Sequence, residues 1–136
     1  MRDERGPSLN AILDGEERLA LALEVAGVGL WDWNIKTGAI AWSDEHFRME
    51  GYEPGAIVPS FEAWLDRVHP EDREEAVAAL ESARRDRTPF DHEFRSLQPD
   101  GTSRWLLGRG KFFYDETGDA ERMIGAMVDV TAKVRA

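Results

Sequence analysis

Apolar residues near the N-terminus recur at helical spacing, and most of those further along alternate with polar ones at strand spacing. Leu9, Ile12, Leu13, Leu19, Ala20, Leu23 and Ala26 form an amphipathic stripe interrupted at Asp14-Gly15. Asp14 with Glu17 three residues on matches a capping box, and Gly27 suits the left-handed position past a helix end. A helix is predicted over residues 15–26, behind a polar leader over residues 1–8. Val28, Leu30, Trp31 and Trp33 then read as an aromatic strand, and the turn Asn34 to Gly38 leads into a second strand, Ala39 to Trp42. Ser43 can cap a short helix through Met49, with Asp44 and Glu45 at its positive end.

A turn-rich connection, Gly51 to Pro59, precedes a short helix marked by Phe61, Trp64, Leu65 and Val68. The longest helix is predicted to begin at Pro70, since proline is tolerated at the first helical position and Glu71 and Asp72 follow. Ala76, Val77, Leu80 and Ala83 give it a buried stripe, and it ends near Arg87, ahead of Pro89. Phe90, His92, Phe94 and Ser96 alternate with charged residues, and Pro99-Asp100-Gly101 makes a hairpin turn into a long strand, Arg104 to Tyr114. A turn over Asp115 to Asp119 and a last strand, Arg122 to Val130, complete an α+β pattern in which helices cover one face of a sheet.

The 136 residues suit one domain, and the absence of cysteine removes disulfides, thiolate zinc sites and cysteinyl nucleophiles. A formal charge of −10, with no large basic cluster, argues against nucleic acid and against direct contact with anionic membranes. No apolar run approaches the ~18 residues of a membrane span, so the chain reads as cytoplasmic. His46, His69 and His92 lie far apart in the chain, and no metal site is assigned.

The order of these elements, with Gly29-Leu30-Trp31-Asp32-Trp33, Trp42-Ser43, Gly51-Tyr52, Val68-His69-Pro70-Glu71-Asp72-Arg73, Arg104-Trp105, Gly125 and Asp129-Val130-Thr131, resembles the PAS family. The likeness is to sensor modules that precede histidine kinases or cyclic-di-GMP enzymes. It implies a five-stranded antiparallel sheet of order 2-1-5-4-3, with helices over one face and an N-terminal flanking helix or a second protomer on the other. It also implies a division into a leader and flanking helix (1–26), a core (27–131) and the start of a signalling helix (132–136).

Placing Gly125 inward, as the resemblance implies, assigns Met123, Met127, Leu106, Gly108, Gly110, Phe90, His92, Phe94, Ser96, Trp31 and Trp33 to the covered face. That face is either a packed core or a pocket for a small ligand. The flavin photochemistry of some relatives needs a cysteine and is excluded; a flavin redox sensor, with Trp31 or Trp33 on the ring system, stays open. Haem is disfavoured, because the long helix lacks a histidine; His92 is the better axial candidate and His69 the better cap. Gly108 and Gly110 fit close approach of a ligand or side chain, and Gly108-Arg109-Gly110-Lys111 lacks the spacing of a phosphate loop.

The opposite face carries Trp105, Leu107, Ile124, Ala126 and Val128, which need a cover; the stripe with Leu19 and Leu23, from the same chain or a partner in a homodimer, is the nearest candidate. Asp129 and Thr131 resemble the family's output junction, with Arg95 or Arg104 as the basic partner of Asp129. The expected function is therefore a non-enzymatic sensory domain regulating a fused effector. Two rivals are a ligand-free interaction module and a cone-shaped enzyme of ketosteroid-isomerase type, in which Asp32, His92 and Tyr114 would carry the chemistry.

Overall fold

A computed structural model describes residues 15–135; the leader, the Leu9/Ile12/Leu13 part of the stripe and the Asp14 cap lie outside the described residues. The chain runs α1 (Gly15–Ala26), β1 (Val28–Asn34), β2 (Ile40–Trp42), α2 (Asp44–Met49), α3 (Phe61–Arg67), a 3-10 turn (Pro70–Asp72), α4 (Arg73–Asp86), β3 (Phe90–Leu97), β4 (Ser103–Tyr114), β5 (Ala120–Asp129) and α5 (Thr131–Arg135). The strands form one antiparallel sheet of order β2-β1-β5-β4-β3.

Local chemistry explains most boundaries. Ser43 Oγ accepts the His46 N–H, capping α2, and also the Leu30 N–H at 2.9 Å, which ties that cap to β1. Ser60 caps α3 in the same way, through the Ala63 N–H at 2.9 Å. The long helix differs from expectation. Pro70 opens a 3-10 turn, in which His69 Nδ1 accepts the Glu71 N–H, and the α-helix proper starts at Arg73. Asp72, the residue that could cap it, turns its carboxylate to Arg95 instead. At the other end Arg87 adopts a left-handed conformation (φ 57°) that glycine usually occupies, held by stacking on Tyr114 and by donation to the Gly118 carbonyl.

Helices α2, α3 and α4 lie over one face of the sheet. Two buried clusters result: Met49, Val68, Ala76, Phe94, Leu106 and Met127, and beside it Leu80, Ala83, Phe90, Phe112 and Met123. Trp31 packs against both, so the Met123/Met127 side is the covered side. Burying large apolar side chains in this way contributes about 1.5–3 kcal/mol each. The N-terminal helix α1 meets the sheet chiefly along β1, where Leu19, Ala20 and Leu23 face Val28 and Leu30 across a groove. Leu19 and Val25 stay 59% and 80% exposed, and Phe113 and Ile124 on the outer sheet face remain open to solvent.

Candidate functional site

The register of β1 builds the centre of the covered face. Trp31 pairs with Gly125 on β5 and with Trp42 on β2, which sets its indole over the middle of the sheet. A Cβ placed on Gly125 would lie 2.1 Å from that indole, and one on Gly110 would lie 2.9 Å from it. One on Gly108 would lie 3.2 Å from Phe90 and 3.6 Å from the same indole. The three glycines thus form a cradle, and the group that approaches closely is a side chain, Trp31.

Beside the indole lies a cavity of about 60 Å³, lined by Trp31, Trp33, Phe90, Phe94, Met123 and Met127 from the sheet, with Ile40 and Trp42 from β2. Helices supply His46, Phe61, Trp64 and Leu80. Six of the residues expected from strand alternation therefore share this wall. Leu106 is fully buried beneath it, in contact with Met127, and Gly108 and Gly125 belong to the cradle. Ser96 and His92 correct the expectation. Ser96 is buried on the covered side, but its hydroxyl is drawn to Glu50. His92 is half-buried on the edge strand β3, next to Phe90, and takes no part in the wall.

His46 reaches the cavity because α2 presses on β1 at Gly29, where a Cβ would come within 2.8 Å of the His46 Cα. Trp42 stacks on its ring, with centroids 4.3 Å apart and planes 11° apart. Its Nε2 lies 3.3 Å from Glu50 Oε2, and the Ser96 hydroxyl donates to Glu50 Oε1 at 3.0 Å. Gln98 closes the network by donating to the Met49 carbonyl. His46 and Glu50 are 2% and 0% exposed, and His46 Nδ1 finds no protein partner among the described residues. Sequence reading missed this group, because polar residues on a short helix read as solvent-facing; the His46/Glu50 spacing of four was the available signal.

At the far end of β5, the Thr131 hydroxyl accepts the Trp105 N–H at 2.9 Å, and the Val130 N–H donates to the Trp105 carbonyl at 2.8 Å. Asp129 accepts the Thr131 N–H at 2.9 Å. The expected pairing of Asp129 with Arg95 or Arg104 is not made. Arg95 is bound to Asp72 by its backbone N–H, its Nε and its Nη2, at 2.8, 2.9 and 2.7 Å, and its guanidinium lies over Trp105. That guanidinium holds the Asp72 carboxyl below the usual carboxylate range. Arg104 is exposed at the start of β4 and forms no ion pair with Asp129.

A family profile described as PAS fold matches residues 39–127. The chain belongs to the PAS family. It is 34% identical over 116 residues to the probable diguanylate cyclase DgcE of Escherichia coli K12, covering 85% of this chain and 10% of that protein. It is 31% identical to the sensor protein FixL of Bradyrhizobium diazoefficiens, covering 84% of this chain and 22% of FixL. The chain thus spans a small part of the length of these relatives. Among solved structures, a sensory box histidine kinase/response regulator from Burkholderia thailandensis E264 superposes with a TM-score of 0.75 at 36% identity, over 87% of this chain and 88% of that one. No helix among the described residues is long and apolar enough to cross a membrane.

Proposed function

We propose that this PAS domain is the non-catalytic input module of a longer cytoplasmic signalling protein, acting as a homodimer on a fused histidine kinase or cyclic-di-GMP enzyme. Contents of the cavity alter the packing of β4 and β5, and those strands carry the change to α5. One observation carries the reading: β5 supplies both cavity wall and chain exit, and β4, buried beneath the wall at Leu106, holds that exit through Trp105. Met127 lines the cavity and stands two residues before Asp129, while Leu106, packed on Met127, pairs with Asp129 and adjoins Trp105. A ligand shifts such a system only through different affinities for two arrangements, so small changes at Met127 matter only if they move the Trp105–Thr131 contact.

A flavin ring system or a haem does not fit the residues present. The cavity of about 60 Å³ is far below the ~300 Å³ or more of pockets for ligands of that size, and Trp31 occupies the cradle. A small ligand suits the space. Filling of the cradle by Trp31 also supports the second reading, a ligand-free interaction module in which repacking of the core is itself the signal.

The test is the Asp129→Ala exchange in the full-length parent, with effector turnover measured against stimulus. Basal turnover is expected to persist while its response to stimulus is lost; full retention of the response would remove the junction from the pathway.

A further inference from the structure

The cavity beside Trp31 has a buried floor and a half-buried rim. Leu80, Phe90, Phe94, Met123 and Met127 make the floor. At the rim stand Trp33 and Ile40, a cross-strand pair on β1 and β2, with Phe61 and Trp64 of α3, all four half-buried. Trp33 stacks on Phe61 with centroids 6.0 Å apart, which closes β1 against α3. No residue of α3 is fully buried, so the helix side of the rim is the more easily displaced.

The surface inside is almost entirely apolar. Beyond the weakly accepting thioethers, the lining side chains possess only two kinds of polar group, the indole N–H and the His46 imidazole. Indoles donate and accept nothing. The His46 Nε2 lies against Glu50 and one face of the ring lies under Trp42, so Nδ1 is the one nitrogen left, and it accepts only when it carries no hydrogen. An alcohol, amine, amide or protonated acid would therefore bring donors into a wall with no lasting acceptor, and would lose its bonds to water without replacement. An ion fares worse, because nothing in the wall beyond His46, already turned to Glu50, can carry a charge to balance it. From this we infer that the cavity takes a small molecule with no hydrogen-bonding group, of the class of the short hydrocarbons. Size narrows the class: at about 60 Å³ the cavity is well below the ~150 Å³ of an apolar cavity that admits benzene.

The inference rests on reading the cavity as a ligand site. The test compares propane with ethanol, which matches it in size and adds a hydroxyl, and with benzene, on the purified chain. Binding is read from the methyl resonances of Met123 and Met127 on the cavity floor. Expected are saturable shifts with propane, binding of ethanol weaker by about tenfold, and no saturable shift with benzene. Trp64→Ala, which removes an indole from the rim on a helix without fully buried residues, is expected to admit benzene. No binding of propane, ethanol bound as well as propane, or benzene bound by the unaltered chain overturns the assignment, as does a folded Trp64→Ala chain that refuses benzene. If that variant fails to fold, the three probes on the unaltered chain decide alone. The sensory reading is tested apart, by the Asp129→Ala parent: loss of its response together with no binding of propane would strike the ligand class and leave the junction in place.

Discussion

Gly125 lacks a side chain because Trp31 occupies the volume that one would fill. Adding a methyl there brings three indole carbons within 2.1–2.5 Å, which no rotamer of a stacked core relieves without moving the ring. Gly125→Ala is therefore expected to destabilise the domain by about 1–3 kcal/mol, or to expel the indole and enlarge the cavity. Thermal denaturation and the tryptophan emission maximum distinguish the two outcomes, and an unchanged melting curve with unchanged emission would contradict the cradle. Gly108 and Gly110 were legible in the sequence as points of close approach, because they interrupt a strand rich in large residues, while Gly125 was placed inward only by the family resemblance. Their visitor was not legible, since it depends on the register Trp31↔Gly125 between strands 94 positions apart. The same limit hid His46 and Glu50, whose inward orientation follows from the tertiary contact of α2 with Gly29 and from no local periodicity.

At the scale of elements, the connection from α3 to α4 is fastened to β3 by backbone and side chain together. Val68 bridges to Ser96, the His69 N–H donates to the Arg95 carbonyl, and the Asp72 carboxylate takes three donors from Arg95. Removing the acceptor takes away the partner of the Arg95 backbone N–H and the main partner of its guanidinium, which keeps only Glu71 at 3.7 Å, so Asp72→Ala is expected to cost about 1–3 kcal/mol at neutral pH. The sign of its pH dependence follows from the lowered folded-state pKa. Stability from this pair is fully present above the ordinary aspartate value of about 3.9 and declines as pH falls toward the lower folded value. The gap between the unaltered chain and Asp72→Ala, measured by urea denaturation, is expected to narrow between pH 5 and pH 2; a constant gap would show that the ion pair contributes nothing. By contrast Asp32, paired with Arg122 across half-exposed side chains, should contribute at most about 1 kcal/mol. The positions of these helices and strands could be read from capping residues and alternation. What could not be read was the start of α4, because the competition of Arg95 for the Asp72 carboxylate is a contact between elements 23 residues apart.

For the whole molecule, the sheet has one side sealed by α2, α3 and α4 and another on which Phe113 is 43% and Ile124 is 38% exposed. Trp105, Leu107, Ala126 and Val128 adjoin them, each half-buried, and α1 offers exposed Leu19, Leu21 and Val25 near the β1 side of the same face. An apolar surface of this kind on so acidic a chain is better satisfied by a second copy than by water. The chain is accordingly expected to sediment as a dimer, and the double exchange Phe113→Glu/Ile124→Glu to make it monomeric. Adding carboxylates to a molecule of charge −10 would also separate two copies by repulsion alone. Phe113→Lys/Ile124→Lys removes that ambiguity, because it lowers the repulsion while deleting the same apolar area. If both pairs give monomers with little change in melting temperature, loss of apolar burial is the cause and the outer face is the dimer surface. If the lysine pair leaves the dimer intact, the copies meet elsewhere, and the exit helix α5 would have to be brought to its partner by contacts outside this sheet.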